Sequence, residues 1–139
     1  MYKHILVPVD GSDHARQAVQ AARSLAENQG GDARLTILYV HPVISVNEAA
    51  MIDLDALIEA ESASILEDTR RQLEGTSVAF DLQKEHGDPA YTICRFAKEG
   101  GYELIAMGSR GLGLFSELFL GSVSHKVSQQ SHCPVLIVK

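Results

Sequence analysis

The sequence predicts an α/β protein with a mostly parallel sheet that is covered by helices. Two observations support this fold class. Short apolar segments alternate along the chain with longer segments whose apolar residues recur at helical spacing. The segment 2–9 is a short apolar run rich in β-branched residues. Such runs are typical of parallel strands that are buried on both faces.

Five strands are predicted, at residues 2–9, 34–40, 77–84, 103–107 and 135–138. The third differs from the others because Val78, Phe80 and Leu82 alternate with polar residues. Alternation indicates a strand that is exposed on one side. We therefore expect the third strand at an edge of the sheet.

The first predicted helix begins at a cap supplied by Ser12 or Asp13 and is stopped by Gly30-Gly31. Alanines dominate its apolar face and allow close packing on a sheet. The residues expected on that face are Ala15, Ala18, Val19, Ala22, Leu25 and Ala26.

A second, longer helix is predicted after residues 43–50, which show no clear period and are expected to form an irregular connection. Gly75 ends this helix. Its apolar face is predicted to hold Leu54, Leu57, Ile58, Ile65, Leu66 and Leu73.

The turn Gly87-Asp88-Pro89 predicts the start of a third helix, with Asp88 as the cap and Pro89 at the first helical position. This helix is expected to run to Glu99. A fourth helix is expected from about residue 121 to residue 131. With 139 residues, the chain fits one domain that is large enough to bury a core.

Composition excludes several classes of function. The net charge is −6, from 12 Lys and Arg against 18 Asp and Glu, which argues against a nucleic-acid-binding surface. The sequence has no long apolar stretch and no signal-peptide pattern near Met1, so we expect no membrane span and a cytoplasmic location. Two cysteines and six histidines show no metal-ligand spacing, and no metal-binding residue is predicted.

A glycine-rich segment follows the fourth predicted strand and leads into the last helix. It places Gly108, Gly111 and Gly121 ahead of Ser122. Glycine can adopt backbone angles closed to other residues and lets a ligand approach the main chain closely. The unpaired N–H groups of a helix N-terminus favour an anion. The alternative interpretation is a turn, a loop and an ordinary helix cap, and Ser122 and Ser124 would act as caps in either case.

The spacing Gly108-x2-Gly111-x9-Gly121-Ser122 resembles the ATP-binding signature of the universal stress protein family. The resemblance covers the whole chain, including Val7-Pro8-Val9-Asp10-Gly11-Ser12, the Gly87-Asp88-Pro89 turn and the Pro134-Val135-Leu136-Ile137-Val138 ending. It implies a doubly wound sheet with the strand order 3-2-1-4-5, in which the winding reverses between strands one and four. Ligands of such sheets bind at this switch point, beyond the C-terminal ends of the strands.

The resemblance also implies which residues contact the nucleotide. Adenine and ribose would lie against Pro8, Val9, Asp10 and Val40, and the polarizable Met107 can line the base pocket. The phosphates would follow Gly108, Arg110, Gly111, Gly121, Ser122, Val123 and Ser124. Magnesium is expected to accompany ATP.

Asp10 and Arg110 each have an alternative to this role. Asp10 can accept from a ribose hydroxyl or hold magnesium through water, or it can be a turn residue bonded to its own backbone near Gly11. Arg110 can fork onto phosphate oxygens, or it can be a solvated loop residue.

Together these features predict an ATP-binding regulatory protein of the stress response that acts on a further protein. The chain lacks a P-loop, a dinucleotide fingerprint after the first strand and an identifiable base for hydrolysis, so no catalytic residue is predicted. A slow ATPase or self-phosphorylating enzyme is the alternative. The third alternative is a carrier that resembles flavodoxin and binds FMN.

A homodimer is predicted through Val135, Leu136, Ile137 and Val138, which lie at the sheet edge in the implied order. A bare edge strand invites pairing, and two copies can pair antiparallel about a two-fold axis. The apolar segment 112–120 is expected to be partly buried at a subunit contact, with core packing as the alternative. If this segment covered the edge, the chain would remain a monomer.

Overall fold

The computed structural model describes residues 1–42, 48–110 and 121–139, and for residues 48–53 it describes the backbone alone. Five strands and four helices alternate along these residues. The strands are β1 (His4–Val9), β2 (Arg34–His41), β3 (Ala79–His86), β4 (Leu104–Gly108) and β5 (Val135–Val138). The helices are α1 (Asp13–Glu27), α2 (Glu48–Gln72), α3 (Pro89–Glu99) and α4 (Ser122–Gln130).

The strands form one parallel sheet in the order β3-β2-β1-β4-β5, which confirms the predicted order. At its centre β1 pairs with β2 from His4 to Val9 and with β4 through Ile5 and Leu6. The alternating strand β3 lies at an edge, as its pattern predicted. Because the winding reverses between β1 and β4, a crevice forms beyond their C-terminal ends.

Consecutive residues of β1 supply two separate cores. Ile5 and Val7 pack on the side of α1 and α2, whereas Leu6 packs on the side of α3 and α4. Both sides of the strand are therefore buried, which explains its continuous apolar run. Helix α1 buries Ala15, Ala18, Val19, Ala22 and Ala26, and the remaining residue of its predicted face, Leu25, is half-buried.

Two predicted caps are present. Ser12 is the N-cap of α1, and its Oγ accepts the N–H of Ala15 at 3.2 Å. Asp88 is the N-cap of α3, and its Oδ2 accepts the N–H of Tyr91 at 3.0 Å. Both bonds satisfy N–H groups that the first helical turn leaves unpaired. None of the described helices is long and apolar enough to cross a membrane.

Helix α2 begins earlier than its pattern indicated. It starts at Glu48, so residues 48–50, which were expected in an irregular connection, are helical. The remainder of that connection, residues 43–47, lies outside the described residues. Strand β3 runs two residues further toward the C-terminus than the predicted segment 77–84.

The predicted apolar face of α2 is partly wrong. Leu57 is 67% exposed, whereas Ser62 and Thr69 are buried. Each of these two hydroxyls donates to the carbonyl four residues earlier in the helix, so that it needs no other partner when it is buried. The packed face of α2 therefore contains polar residues that a search for apolar spacing passes over.

Candidate functional site

A cleft opens at the switch point, beyond the C-terminal ends of β1, β2 and β4. Its volume is about 460 Å³, within the range of roughly 300–1,000 Å³ that is usual for small-molecule sites. The predicted contact residues that line it are Pro8, Val9, Asp10, Val40, Met107, Gly108, Arg110, Gly121, Ser122, Val123 and Ser124. Gly111, the remaining predicted residue, and the segment 112–120 lie outside the described residues.

The cleft has further lining residues that sequence reasoning missed. They are Ala15, Leu38, Tyr39, Pro42, Glu61, Pro89 and Ile93. Leu38 precedes Val40 by two residues on β2, so strand alternation was a usable signal once Val40 had been assigned. Glu61 comes from α2, and no local signal indicates that this helix borders the crevice.

Asp10 lies half-buried where β1 turns into α1. Its Oδ1 accepts the N–H of Ser12 at 2.9 Å, so the turn role considered for it is present. Gly11 makes this turn possible with a φ of +86°. A carboxylate has about four acceptor positions. Asp10 can therefore hold the turn and still accept a hydrogen bond from a ligand in the cleft.

Gly108 is required for close packing and not for an unusual backbone angle. Its φ is not positive, so the expectation that it uses angles closed to other residues is wrong. A Cβ at this position would lie 2.7 Å from the carbonyl carbon of His14. Only glycine lets the start of α1 approach the end of β4 this closely.

The backbone of Ser109 connects three parts of the structure. Its N–H donates to the carbonyl of Val138 in β5 at 2.8 Å. Its carbonyl accepts the N–H of Gly121 at 2.6 Å and the hydroxyl of Ser124 at 2.8 Å. These bonds hold the start of α4 beside the end of β4, and both therefore border the cleft.

The start of α4 differs from the prediction. Its N-cap is Gly121, and no side chain forms a capping bond. Ser122 is already at the first helical position and is exposed, while Ser124 donates its hydroxyl to the carbonyls of Ser109 and Gly121. The capping role expected for both serines is therefore wrong, because a cap precedes the first turn and accepts an N–H. The N–H groups of that first turn are therefore not occupied by a side-chain cap, and such groups can bind an anion.

The charges of the cleft are divided between its two sides. On the β2 side, burial and then the charges of Glu61 and Asp10 raise the pKa of the Tyr39 hydroxyl. On the β4 side, Arg110 is half-buried, and its Nη2 lies 3.0 Å from Nε2 of His14. Arg110 is thus not a fully solvated loop residue. A bound anion is favoured on the β4 side, and hydroxyl or amino donors are favoured near the carboxylates.

Comparisons with known proteins agree with this fold. The model of the universal stress protein family matches residues 1–139. Universal stress protein YxiE of Bacillus subtilis is 37% identical over 148 residues, with 100% of both chains covered. Universal stress protein UspA from Lactobacillus plantarum has a TM-score of 0.90 at 30% identity, covering 99% of this chain and 98% of that one.

A solved universal stress protein in complex with cAMP is similar as well. It has a TM-score of 0.74 at 28% sequence identity, and the likeness covers 99% of this chain and 97% of that chain. The family model and the relative from Bacillus subtilis both extend over the whole chain. The glycine spacing had indicated the same relationship. This chain therefore belongs to the universal stress protein family.

Proposed function

We propose that the protein binds ATP or a related adenine nucleotide in this cleft and acts as a nucleotide-dependent regulator in the stress response. The proposal is carried by the convergence of three distant segments on one cleft. They supply an apolar wall, a carboxylate, and a helix N-terminus with an arginine beside it. The related universal stress protein in complex with cAMP supports an adenine nucleotide as the ligand.

In the proposed pose, the adenine ring packs against Pro8, Val9, Val40 and Met107, which are all buried. Where these residues line the cleft, they present an apolar surface that suits a planar ring. Backbone groups near Val40, at the end of β2, supply donors and acceptors to the edge of the base.

The two charged sides of the cleft orient the rest of the nucleotide. Ribose hydroxyls donate to Asp10, with Glu61 close enough to the same side to contribute charge. The phosphates lie on the β4 side, along Gly108, Arg110 and the helix start from Gly121 to Ser124. Gly111, which lies outside the described residues, is proposed as a further contact from the sequence signature alone. Backbone N–H groups and one guanidinium compensate the phosphate charge locally, although the chain as a whole carries a net charge of −6.

Magnesium is proposed to enter with the nucleotide. This ion usually keeps several waters and is bound by phosphate oxygens together with one or two carboxylates. Asp10 and Glu61 bring such carboxylates to the wall of the cleft. When bound, the ion would neutralise phosphate charge. We assign no catalytic residue to this chain.

We propose that two copies pair through β5. Among the described residues, β5 is an edge strand whose only sheet neighbour is β4. Val135 and Ile137 pack on the core, whereas Leu136 is 38% exposed. Antiparallel pairing of two such edges would satisfy backbone groups that the edge presents to solvent. The dimer would be the form that signals to a further protein.

The cytoplasm is the proposed location. Cys94 and Cys133 are free thiols, which agrees with a reducing compartment.

Two measurements test the nucleotide proposal. The purified protein is denatured by heat, and the released small molecules are identified by mass spectrometry. Isothermal titration then compares ATP, ADP, AMP, cAMP, GTP and FMN, each with and without magnesium. We expect an adenine nucleotide in the released fraction and tighter binding of adenine than of guanine nucleotides. A yellow protein that releases FMN, or a stripped protein that binds no adenine nucleotide, would refute the proposal.

A further inference from the structure

His14 is a polar residue beside the cleft that does not line it. The half-buried ring lies on the first turn of α1 and contacts the loop that follows β4. Its Nδ1 is 3.3 Å from Oγ of Ser109, and its Nε2 is 3.0 Å from Nη2 of Arg110. Arg110 does line the cleft. His14 can therefore influence a ligand through its contact with Arg110.

The hydrogen-bond chemistry of this contact determines the protonation of the ring. A guanidinium only donates, so Nε2 of His14 must be an unprotonated acceptor. In a neutral imidazole the proton then belongs to Nδ1, which donates it to the hydroxyl oxygen of Ser109. The two contacts are mutually consistent only for this one tautomer of His14.

The backbone holds the two partners at this separation. Gly108 packs directly against the backbone of His14, since a Cβ on Gly108 would lie 2.7 Å from the carbonyl carbon of His14. A shift of α1 away from β4 would lose this contact. The preceding cap is formed by Ser12, which accepts the N–H of Ala15. On the other side, the backbone N–H and carbonyl of Ser109 are both bonded, to β5 and to the start of α4.

We infer that His14 is a positioning residue that holds the Arg110 guanidinium at the wall of the cleft, ready for the phosphates of a nucleotide. A long arginine side chain loses rotamer freedom when it meets a ligand. A contact that already restricts Arg110 in the free protein reduces that loss. The inference rests on the proposed nucleotide site for its effect on binding, but the contact itself can be tested without a ligand.

The first test measures the tautomer in the protein without nucleotide. Long-range ¹H–¹⁵N spectra of the uniformly labelled chain distinguish a protonated from an unprotonated ring nitrogen. We expect His14 to carry its proton on Nδ1 and to leave Nε2 unprotonated. In Arg110→Ala, the preference for this tautomer should weaken. A proton on Nε2 in the wild-type protein would overturn the inference, whatever the outcome for nucleotide binding.

The second test is a double-mutant cycle read by titration with ATP and with adenosine. We expect His14→Ala to weaken ATP binding about tenfold, within the range found for coupled residues in contact, and to leave adenosine binding unchanged. Adding His14→Ala to Arg110→Ala should cause no further loss. In His14→Gln, the amide oxygen can accept from Arg110 and the amide N–H can donate to Ser109, so most of the affinity should return.

The outcomes separate this inference from the proposed function. Independent, additive losses in the cycle, or an equal loss of adenosine binding in His14→Ala, would show that His14 acts only on packing. A wild-type protein that binds neither ATP nor adenosine would refute the proposed function, and the tautomer would then decide whether His14 holds Arg110.

Discussion

Gly108 and His14 are in such close contact that no side chain fits between them. A Cβ built on Gly108 would lie 2.7 Å from both the carbonyl carbon and the Cβ of His14, and 2.8 Å from its carbonyl oxygen. Two of these three atoms belong to the backbone of α1, so the conflict cannot be relieved by a change of rotamer. This contact sets the distance between α1 and β4 at the mouth of the cleft.

We predict that Gly108→Ala destabilises the protein by about 1–3 kcal/mol, the usual cost of inserting atoms into a packed region. Urea unfolding measures the change. Ser122→Ala is a control at the same cleft, because Ser122 is exposed and makes no capping bond. Its effect should stay within about 0.5 kcal/mol. Equal stabilities of wild type and Gly108→Ala would contradict the close contact.

Gly121→Val is predicted to abolish nucleotide binding and to leave the fold intact. The backbone of Gly121 has a φ of −64° and a ψ of 159°, which valine tolerates. Its side chain would, however, enter the space proposed for the phosphates at the start of α4. Titration with ATP and magnesium provides the measurement.

The matched control for Gly121→Val is Ser128→Val, which adds the same side chain to an exposed position of α4. ATP affinity should be unchanged in this control. A folded Gly121→Val protein that binds ATP as tightly as wild type would rule out the assigned phosphate position.

Asp10→Asn is predicted to weaken ATP binding about tenfold, because a hydrogen bond to a charged acceptor contributes about 1.5–3 kcal/mol. The asparagine oxygen can still accept the N–H of Ser12, so the turn after β1 should persist. Titration with 2′,3′-dideoxy-ATP is the control, and both ligands are titrated without magnesium so that only the ribose contact is compared. This ligand lacks the ribose hydroxyls and should bind both proteins equally. A similar loss for both ligands would place Asp10 away from the ribose.

Ile137→Pro is predicted to convert the proposed dimer to a monomer. The carbonyl of Pro134 accepts a hydrogen bond from Ile105 of β4, and the carbonyl of Val138 accepts one from Ser109 directly after β4. Since backbone groups alternate in direction along a strand, those of Ile137 point away from β4, toward the proposed partner. Proline would therefore remove an outward donor and leave the pairing with β4 in place.

Sedimentation measures this change in mass. Wild type should sediment at twice the chain mass of 15.1 kDa, and Ile137→Val, which keeps the donor, should do the same. A wild-type monomer at micromolar concentration would end the dimer proposal.

The pH dependence of stability is predicted to include a contribution from His4. Burial, followed by the charge of Arg34, lowers the pKa of His4 below its ordinary value of 6.5, against weaker opposing effects of Asp81 and Glu103. Below pH 6.5, the unfolded chain therefore binds this proton more readily than the folded chain does. The free energy of unfolding should fall as the pH drops through 6.5 toward the lower folded pKa.

Urea unfolding between pH 5 and pH 8 tests the contribution of His4. His4→Gln should show a shallower decline on the acidic side than wild type, whereas the same change at the exposed His132 serves as the control. Parallel curves for wild type and His4→Gln would contradict the assignment.

Asp81 adds a second contribution at lower pH. Its burial opposes ionisation, but hydrogen bonds from Gln83 and Thr36 and the charge of Arg34 outweigh that effect and lower its pKa below 3.8. Stability from this carboxylate is present above pH 3.8 and is lost as the pH falls through the folded pKa. The two residues therefore act in separate pH windows.

The sequence alone determined the succession of strands and helices, because periodicity and caps act within a few residues. The alanine face of α1 and the caps Ser12 and Asp88 are found where local patterns predicted them. The alternation in residues 77–84 correctly placed β3 at an edge of the sheet. The residues predicted by family resemblance lie around one cleft wherever the structure describes them.

Only the tertiary structure decided which distant groups meet. His14 and Arg110 are 96 positions apart in the sequence. Glu61 lines the cleft, although it does not belong to the apolar face predicted for α2. The same is true of Gly108, which must be glycine because His14 of α1 packs against it and not because of its own backbone angles. The apolar periodicity of a strand or helix indicates which of its own faces is buried. The crossovers of the sheet, in contrast, set the distances between segments, and those distances determine the role of each of these residues.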